Sequence, residues 1–397
     1  MYSFLAHGLF ALSAAQSPDS LTIEAALARA RAARPRIFAA SAQVERARGA
    51  ARLGAMIPNP TAQFEVDRDT PTHKITASQS LAWLPRHAAE RAAGRFLVER
   101  ARADSVQVLA DVTREVRRAF FGALAAGRHS VLAAEQSALA DSLARLASRR
   151  ASAGDISDLE RDQVVVEASR ARLSAWQARE DSDVATAELG RALAWPGTRG
   201  PLASGPLDEG LTLTPAALRD TSRATTDPPA VRSAIADSAA AAHRLRAARI
   251  ARVPFPGLVL GREWGGGSSG NFIVGVALPI PLFSTGGEAV QQARGEASVQ
   301  AALAAETRLG VRAQLEAART RAEQSAGRAL FARDSLLPEA RRVRAGAVRL
   351  YEEGRTSVLP VLDALRTERD VTRLTVVELL AYQQARADLD AVLGRAP

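Results

Sequence analysis

Residues that could carry out chemistry are few and scattered in this sequence. It contains no cysteine, which excludes disulfides, thiolate metal sites and lipid attachment at an N-terminal cysteine. The five histidines show no metal-ligand spacing. They are His7, His73, His87, His129 and His243. A glycine-rich run at 265–270 lacks the Lys-Ser/Thr pair and the following helix of a phosphate-binding loop. The sequence therefore predicts no enzyme, no cofactor and no metal site.

The charge of the chain allows two kinds of partner. A net charge of +9 suits either nucleic acid or an anionic lipid surface. Nearly every basic residue is arginine, with Lys74 as the single lysine, and the arginines are spread over all the predicted helices together with Asp and Glu. This distribution favours solvated helix faces over a nucleic-acid-binding patch, so we predict no nucleic-acid partner.

The N-terminus is typical of a secretory signal peptide. Residues 2–15 are mostly apolar, and Ser13-Ala14-Ala15 before Gln16 fits a small-residue cleavage site, which predicts a signal peptide over residues 1–15. No Lys or Arg precedes the apolar run. A start further upstream and a buried N-terminal helix therefore stay open as alternatives. No stretch reaches the roughly 18–20 apolar residues of a transmembrane helix.

The chain consists of two halves with similar sequence patterns. Pro58-Asn59-Pro60 and Pro254-Phe255-Pro256 each follow a helical pattern and precede strand-like residues. Each half predicts a short helix, two strands, a very long helix, a tight turn and a medium helix. The predicted repeats span residues 16–193 and 229–397, and a Pro/Gly/Thr-rich linker at 194–228 joins them.

The helix lengths within one half are matched. We predict helices at 36–57, 86–153 and 157–193 in the first half and at 229–253, 287–353 and 357–394 in the second. Each long helix spans about 100 Å, and the short and medium helices of a half sum to about 90 Å. The short and medium helices can thus stack end to end beside the long one. Leu159, Val166 and Leu173 repeat every seven residues, which predicts side-by-side supercoiled packing.

Four strand-like segments alternate apolar and polar side chains. They cover residues 61–69 and 74–83 in the first half and lie around 258–260 and 272–278 in the second. Strands of about 9–11 residues cross a bilayer when tilted, and one apolar and one polar face is the pattern of a lipid-facing, water-filled barrel. Aromatic residues near the strand ends suit the girdles of such a barrel. These residues are Trp83, Trp264 and Phe283.

Counting strands predicts the number of copies. Four strands cannot close a barrel, and open sheet edges are not tolerated in lipid. Two copies would give a filled eight-stranded barrel, whereas three give twelve strands and room for a channel. We therefore predict a mainly α fold with a small β part. A long antiparallel α-helical barrel would continue into a twelve-stranded transmembrane β-barrel of a homotrimer surrounded by outer-membrane lipid.

Several motifs in the right order resemble the TolC family of outer-membrane efflux proteins, over nearly the whole chain. They are Leu-Thr-Ile-Glu-Ala-Ala-Leu at 21–27 followed by Arg34-Pro35, Pro58-Asn59-Pro60, Leu-Pro-Ile-Pro-Leu-Phe at 278–283, Tyr-Glu-Glu-Gly at 351–354 and Val-Leu-Asp-Ala at 361–364. The Pro-Asn-Pro segment resembles the heavy-metal branch of the family in particular.

The resemblance implies an outer-membrane channel that extends into the periplasm as the exit duct of a tripartite efflux system. Such a duct is a passive homotrimer without catalysis or cofactor. It receives metal cations or small toxic molecules from an inner-membrane pump through a periplasmic adaptor protein.

The resemblance also implies a gate at the periplasmic end. The two aspartates that ring the constriction in the family correspond here to Pro360 and Asp363, so one acidic ring is missing. Glu160 and Tyr351 correspond to residues that lock the closed helices by hydrogen bonds, and Arg355 lies one residue from the position of the family's lock arginine. An exposed helix-start carboxylate is the alternative for Asp363, and ordinary surface pairs are the alternative for the latch. The adaptor-docking turns would be Gly154, Asp155, Ile156 and Ser157 with Gly354, Arg355, Thr356 and Ser357.

Two other classes of protein stay open at this point. One is a soluble coiled-coil scaffold or a periplasmic adaptor without a pore. The other, which the dispersed charge disfavours, is a basic DNA-binding coiled coil. The strand pairs and the signal-like start favour the duct. An adaptor would also need lipoyl-like and barrel segments, which the sequence does not show. The cargo cannot be inferred, because a wide water-filled tube needs no specific site.

Overall fold

The computed structural model describes residues 20–67, 72–198, 200–211, 227–265, 268–283 and 285–395. The predicted signal peptide and residues 212–226 of the predicted linker lie outside these ranges. The chain is mostly helical, with 73% of its residues in helices. Within the described ranges, no helix combines the length and the apolar character needed to cross a membrane.

Long helices and short strands alternate along the chain. The first half comprises β1 (Ser20–Leu21), α1 (Ile23–Ala33), α2 (Pro35–Gly54), β2 (Thr61–Asp67), β3 (Thr72–Ser80), α3 (His87–Ser152) and α4 (Asp158–Ala192). After β4 (Leu202–Ala203), the second half comprises α5 (Pro229–Ala251), β5 (Gly257–Gly265), β6 (Ser268–Ala277), α6 (Gly287–Phe331), a π-helical segment (Ala332–Leu336), α7 (Leu337–Glu352) and α8 (Val358–Val392).

The predicted helices are present, with ends close to the predicted positions, but one of them is interrupted. The sequence predicts a single helix over 287–353, whereas residues 332–336 adopt a π-helical turn between α6 and α7. Pro338 follows at once and lies in the first turn of α7. Proline has no N–H and its ring crowds the carbonyl four residues earlier, and the π-helical turn widens the helix where that carbonyl lies.

The chain divides into two compact units, each of which draws segments from both halves. The helical unit comprises Met1–Ala33, Thr113–Ala216 and Ala322–Ala387, and the sheet unit comprises Arg34–Val112, Ala217–Arg321 and Asp388–Pro397. The predicted domain boundaries follow the repeat rather than this division, and they stay a prediction, as does the end-to-end stacking of the helices.

In the helical unit, small side chains fill much of the contact between α3 and α4. Ala140, Ala168 and Ala171 form one buried cluster, which lets the helix backbones approach closely. The predicted heptad stripe of Leu159, Val166 and Leu173 does not form this contact. Leu159 and Leu173 are 70% and 53% exposed, so the stripe points away from the intrachain contact.

Residues 200–211 of the predicted linker pack on α8. Leu207 and Leu211 are fully buried. The Gln383 amide donates to the carbonyls of Leu207 and Glu209 at 2.9 and 2.8 Å. The Tyr382 hydroxyl donates to a carbonyl of the same segment, that of Gly210, at 2.7 Å. These bonds satisfy buried backbone oxygens that the segment, lacking regular structure here, would otherwise leave unpaired.

In the sheet unit, four antiparallel strands pair in the order β2-β3-β5-β6. The two hairpins therefore join through β3 and β5, and β2 and β6 are the edges. On one face lie the apolar side chains of the paired rows Ala62–Ala77–Leu260–Val274 and Phe64–Ile75–Arg262–Phe272. Phe272 and Val274 on the edge strand are about four-fifths exposed, at 82% and 80%. Within the described residues, this apolar face is uncovered.

Candidate functional site

The two predicted turns between helices have the same backbone structure. Gly154 and Gly354 both have positive φ, at 81° and 70°. After α3, the N–H of Asp155 donates to the Arg150 carbonyl at 2.9 Å, and after α7 the N–H of Arg355 donates to the Leu350 carbonyl at 2.9 Å. These are Schellman helix ends, which require a residue without a Cβ penalty at the left-handed position. Glycine at each break therefore fixes where the long helices end.

The helices that follow the turns begin differently. Ser157 caps α4 by accepting a bond from the Glu160 N–H at 3.2 Å. The equivalent third position of α8 is Pro360, which has no N–H to donate to Ser357. The buried N–H of Val358 at the start of α8 instead donates to the Glu160 carboxylate at 3.1 Å. A single acidic side chain on α4 thus caps the neighbouring helix, 198 residues away in sequence.

A second contact between α4 and α8 involves the buried carboxylate of Glu167. Its side chain is only 6% exposed. Arg366 donates to Glu167 Oε2 from both Nε and Nη2, at 3.1 and 2.8 Å, and Arg369 donates to Oε1 at 3.2 Å. Arg170 lies 3.8 Å from the same carboxylate. Three arginines therefore surround one acid, and two of them join α8 to α4. We call Glu167, Arg366 and Arg369 the arginine clamp.

The clamp changes the acidity of its members. Burial alone would raise the pKa of the Glu167 carboxyl, but the hydrogen bonds and charges of Arg366 and Arg369 outweigh burial and hold this pKa below its ordinary value. The hydrogen bond to Glu167 raises the pKa of Arg366, and Asp363 adds a smaller electrostatic contribution. Both changes favour the charged forms, so the clamp is an ion pair.

The three predicted latch residues are not joined to one another in the described part of the chain. Glu160 binds Val358, and Arg355 pairs with Glu353 at 3.4 Å. Tyr351 is 1% exposed in an apolar cluster with Leu143 and other side chains. Its hydroxyl has no hydrogen-bond partner among the described residues, and the Arg150 guanidinium lies over its ring at 5.0 Å. The latch stays a prediction.

We expect Tyr351→Phe to leave the melting temperature of the purified protein unchanged or to raise it slightly. The change removes a buried hydroxyl without a partner and keeps the ring, so no hydrogen bond is lost. Tyr351→Ala, the matched cavity-forming variant, should cost about 3–5 kcal/mol of stability. A loss of more than about 1 kcal/mol on Tyr351→Phe would show that the hydroxyl is bonded, as the latch predicts.

The remaining predicted site residues lie in separate places. Asp363 and Pro360 are both exposed on the first turns of α8. In the sheet unit, Trp264 lies on β5 next to the β5–β6 turn, whereas Trp83 and Phe283 follow β3 and β6 at the opposite strand ends. Phe283 is fully exposed, and Trp83 packs edge-on against His87 at 5.5 Å.

The arginine clamp is a feature that sequence reasoning missed. Arg366 and Arg369 are two of many arginines, and Glu167 lies within α4 without a motif around it. The one available signal is the (i, i+3) spacing of the two arginines, which places them on one face of α8. That signal becomes specific only when the partner helix and its register are known.

Within the described residues, the chain thus has long helices with matching glycine turns and a four-stranded sheet that exposes an apolar face and two edges. Residues 221–395 match the family described as outer membrane efflux protein, and this segment is a domain of that family.

Similar proteins cover nearly the whole chain. The cobalt-zinc-cadmium resistance protein CzcC of Cupriavidus metallidurans is 26% identical over 387 residues, which cover 96% of this chain and 91% of CzcC. The crystal structure of CusC aligns with a TM-score of 0.75 at 17% identity, covering 94% of this chain and 91% of CusC. The outer membrane protein VceC of Vibrio cholerae aligns with a TM-score of 0.74 at 16% identity, covering 94% and 96%.

These comparisons confirm several predictions at the level of the family. The resemblance to TolC-like efflux proteins is confirmed. Because the matched family consists of outer-membrane efflux proteins, the predictions of a transport protein rather than an enzyme and of an outer-membrane location are confirmed as well.

Proposed function

We propose that the protein is the exit duct of a tripartite efflux system, which passively exports metal cations or small toxic molecules as a homotrimer. The observation that carries this proposal is the sheet with two open edges and one exposed apolar face. An isolated chain would present unpaired backbone groups at β2 and β6, which lipid does not tolerate. Pairing β6 of one copy with β2 of the next removes both edges, and three copies supply the twelve strands of an open barrel.

The exposed stripe on α4 supports the same assembly. Leu159, Val166 and Leu173 recur at seven-residue spacing and are at least half exposed. Trp176, 65% exposed, lies one turn beyond them. An apolar stripe at this spacing packs against a second helix in a coiled coil. A helix of a neighbouring copy of the chain would cover it here. Packing within the chain would thus use the alanine seam, and packing between copies would use this stripe.

The turns and the first turns of α8 are proposed to form the periplasmic end of the duct. The exposed tips at 154–157 and 354–357 would dock a periplasmic adaptor that connects to an inner-membrane pump. Three copies of the exposed Asp363 would place three negative charges around one opening, which would favour cations. Pro360 contributes no second acidic ring. The latch of Glu160, Tyr351 and Arg355 would hold these ends closed by hydrogen bonds between the two turn regions.

Cysteine cross-linking tests the assembly directly, because the chain has no native cysteine. We expect a series of variants with one cysteine on β2 and one on β6, such as Phe64→Cys with Val274→Cys, to include a pair that yields covalent trimers in isolated outer membranes. The single-cysteine variants are the matched controls and should give no trimer. Recovery of a soluble monomer would instead indicate a coiled-coil scaffold or adaptor without a pore.

The proposed cargo needs a cellular measurement. The name of CzcC refers to resistance to cobalt, zinc and cadmium, and this relative supports metal cations as the first class to test. A strain that lacks the gene should become sensitive to such cations, and the wild-type gene should restore resistance. Sensitivity to organic toxins alone would assign the duct to small molecules.

A further inference from the structure

One arginine lies on the apolar face of the sheet. Arg262 on β5 is paired with Ile75 on β3 and Phe272 on β6. Its guanidinium carbon is 5.7 Å from the centre of the Phe272 ring, which places both side chains on the same face. Arg262 is exposed, and no carboxylate of the described residues pairs with it. A charge on a lipid-facing strand is costly at the bilayer centre and cheap near the headgroups.

The direction of the Arg262 side chain indicates which headgroups it can reach. A Cβ at Gly270 would lie 3.3 Å from both Nε and Nη2 of Arg262, so the guanidinium extends over this glycine. Gly270 is two residues closer than Phe272 to the β5–β6 turn. The helices join the strands at the opposite ends. Arg262 therefore extends towards the turns, as a basic side chain does when its charge reaches from an apolar surface to the membrane surface.

Aromatic side chains surround the same position. His73 on β3 is paired with Trp264 on β5, and its ring stacks between Trp264 at 5.7 Å and Phe64 at 6.1 Å. The Nδ1 atom of His73 has no hydrogen-bond partner among the described residues. Rings with an apolar body and a polar atom are typical of the membrane–water interface. The row that contains Arg262 thus lies where the apolar face ends.

We propose that Arg262, with the aromatic cluster of Phe64, His73 and Trp264, binds a phosphate group of an anionic lipid at the membrane surface next to the strand turns. A guanidinium presents a planar set of N–H donors that fits phosphate oxygens, and the apolar rings beside it suit the start of the acyl chains. The inference rests on the proposed membrane barrel.

The polar face of the sheet provides an internal contrast. Lys74 on β3 lies 3.6 Å from Glu65 on β2, so its charge already has a partner within the chain. Lys74 faces the side of the sheet away from Arg262, because adjacent positions along a strand alternate between faces. Lys74→Gln removes one positive charge from the same sheet without touching the apolar face, and it is the matched control.

The test is lipid binding by the purified trimer in non-ionic detergent, measured by native mass spectrometry. The probes are phosphorylated lipid A, the same lipid without its phosphates, and inorganic phosphate. We expect Arg262→Gln to weaken binding of phosphorylated lipid A about fivefold, as for the loss of one basic charge near an anionic surface. Binding of the dephosphorylated lipid should be unchanged. Arg262→Lys should retain most of the preference, and Lys74→Gln should match the wild type.

Two results would overturn the inference. One is an Arg262→Gln trimer that still prefers the phosphorylated lipid as strongly as the wild type does. The other is competition by inorganic phosphate at the same concentration, which would indicate a free-anion site. Both results are measured on an intact trimer purified from outer membranes. If no such trimer exists, the proposed function itself is wrong, so the two failures are distinguishable.

Discussion

Glu167→Ala is expected to weaken the contact between α4 and α8 by about 2–3 kcal/mol. The change removes the carboxylate to which Arg366 and Arg369 donate three hydrogen bonds. Both arginine side chains are partly exposed, at 44% and 33%, so water can solvate them and the cost stays below that of a fully buried broken pair. Hydrogen–deuterium exchange should show faster exchange in peptides that cover the α4 and α8 segments around the clamp.

Removal of the two arginines should destabilise the protein more than removal of Glu167. Arg366→Met with Arg369→Met leaves the buried carboxylate of Glu167 with no close cation except Arg170 at 3.8 Å, and an uncompensated buried charge costs about 3–5 kcal/mol. Glu316→Ala is the control, because Glu316 pairs with Arg319 at 65% exposure and should cost under about 1 kcal/mol. Equal effects of Glu167→Ala and Glu316→Ala would show that the clamp contributes no more stability than an exposed ion pair.

The clamp also predicts an acid-sensitive part of the stability. The pKa of Glu167 is lower in the folded protein than its ordinary value of 4.5. The unfolded state therefore binds a proton first as the pH falls, and the stabilisation is complete above about pH 4.5 and is lost as the pH falls through the folded pKa. The difference in stability between the wild type and Glu167→Gln should be constant near neutral pH and shrink under acid conditions.

Local signals made most of the fold predictable from the sequence. Gly154 and Gly354 end the long helices because a Schellman motif needs a left-handed residue, and Ser157 begins α4 because its hydroxyl caps the helix. Alternation of apolar and polar side chains along the chain likewise predicted the four strands. Each of these signals acts over a few neighbouring residues, and so it can be read without knowledge of tertiary contacts.

Features that depend on which helix faces which could not be predicted in this way. The stripe through Leu159, Val166 and Leu173 indicates a seam, but α4 has a second seam of alanines, and periodicity alone does not say which one lies within the chain. The arginine clamp requires the register between α4 and α8. The π-helical turn precedes Pro338, and a proline by itself predicts a kink or a break without specifying a π-helical turn.

Glu160→Ala is expected to cost about 1–3 kcal/mol, because it leaves the N–H of Val358 buried without an acceptor. Val358 is fully buried, and water cannot replace the lost carboxylate oxygen without opening the turn. Pro360 prevents the ordinary remedy, since the third residue of α8 offers neither an N–H nor a polar side chain for a capping box. The stability of the start of α8 therefore depends on a residue of α4.

Glu160→Gln separates the acceptor from the charge. The amide oxygen of glutamine can still accept the bond from Val358, so this variant should lose only the favourable interaction of a negative charge with the helix N-terminus, about 0.3–1 kcal/mol. Hydrogen exchange at the start of α8 and single-channel conductance of the trimer can be measured on both variants. Faster exchange and higher conductance for alanine but not for glutamine would assign the effect to the cap. Equal effects of the two substitutions would show that the charge of Glu160, and not its hydrogen bond to α8, holds the turn.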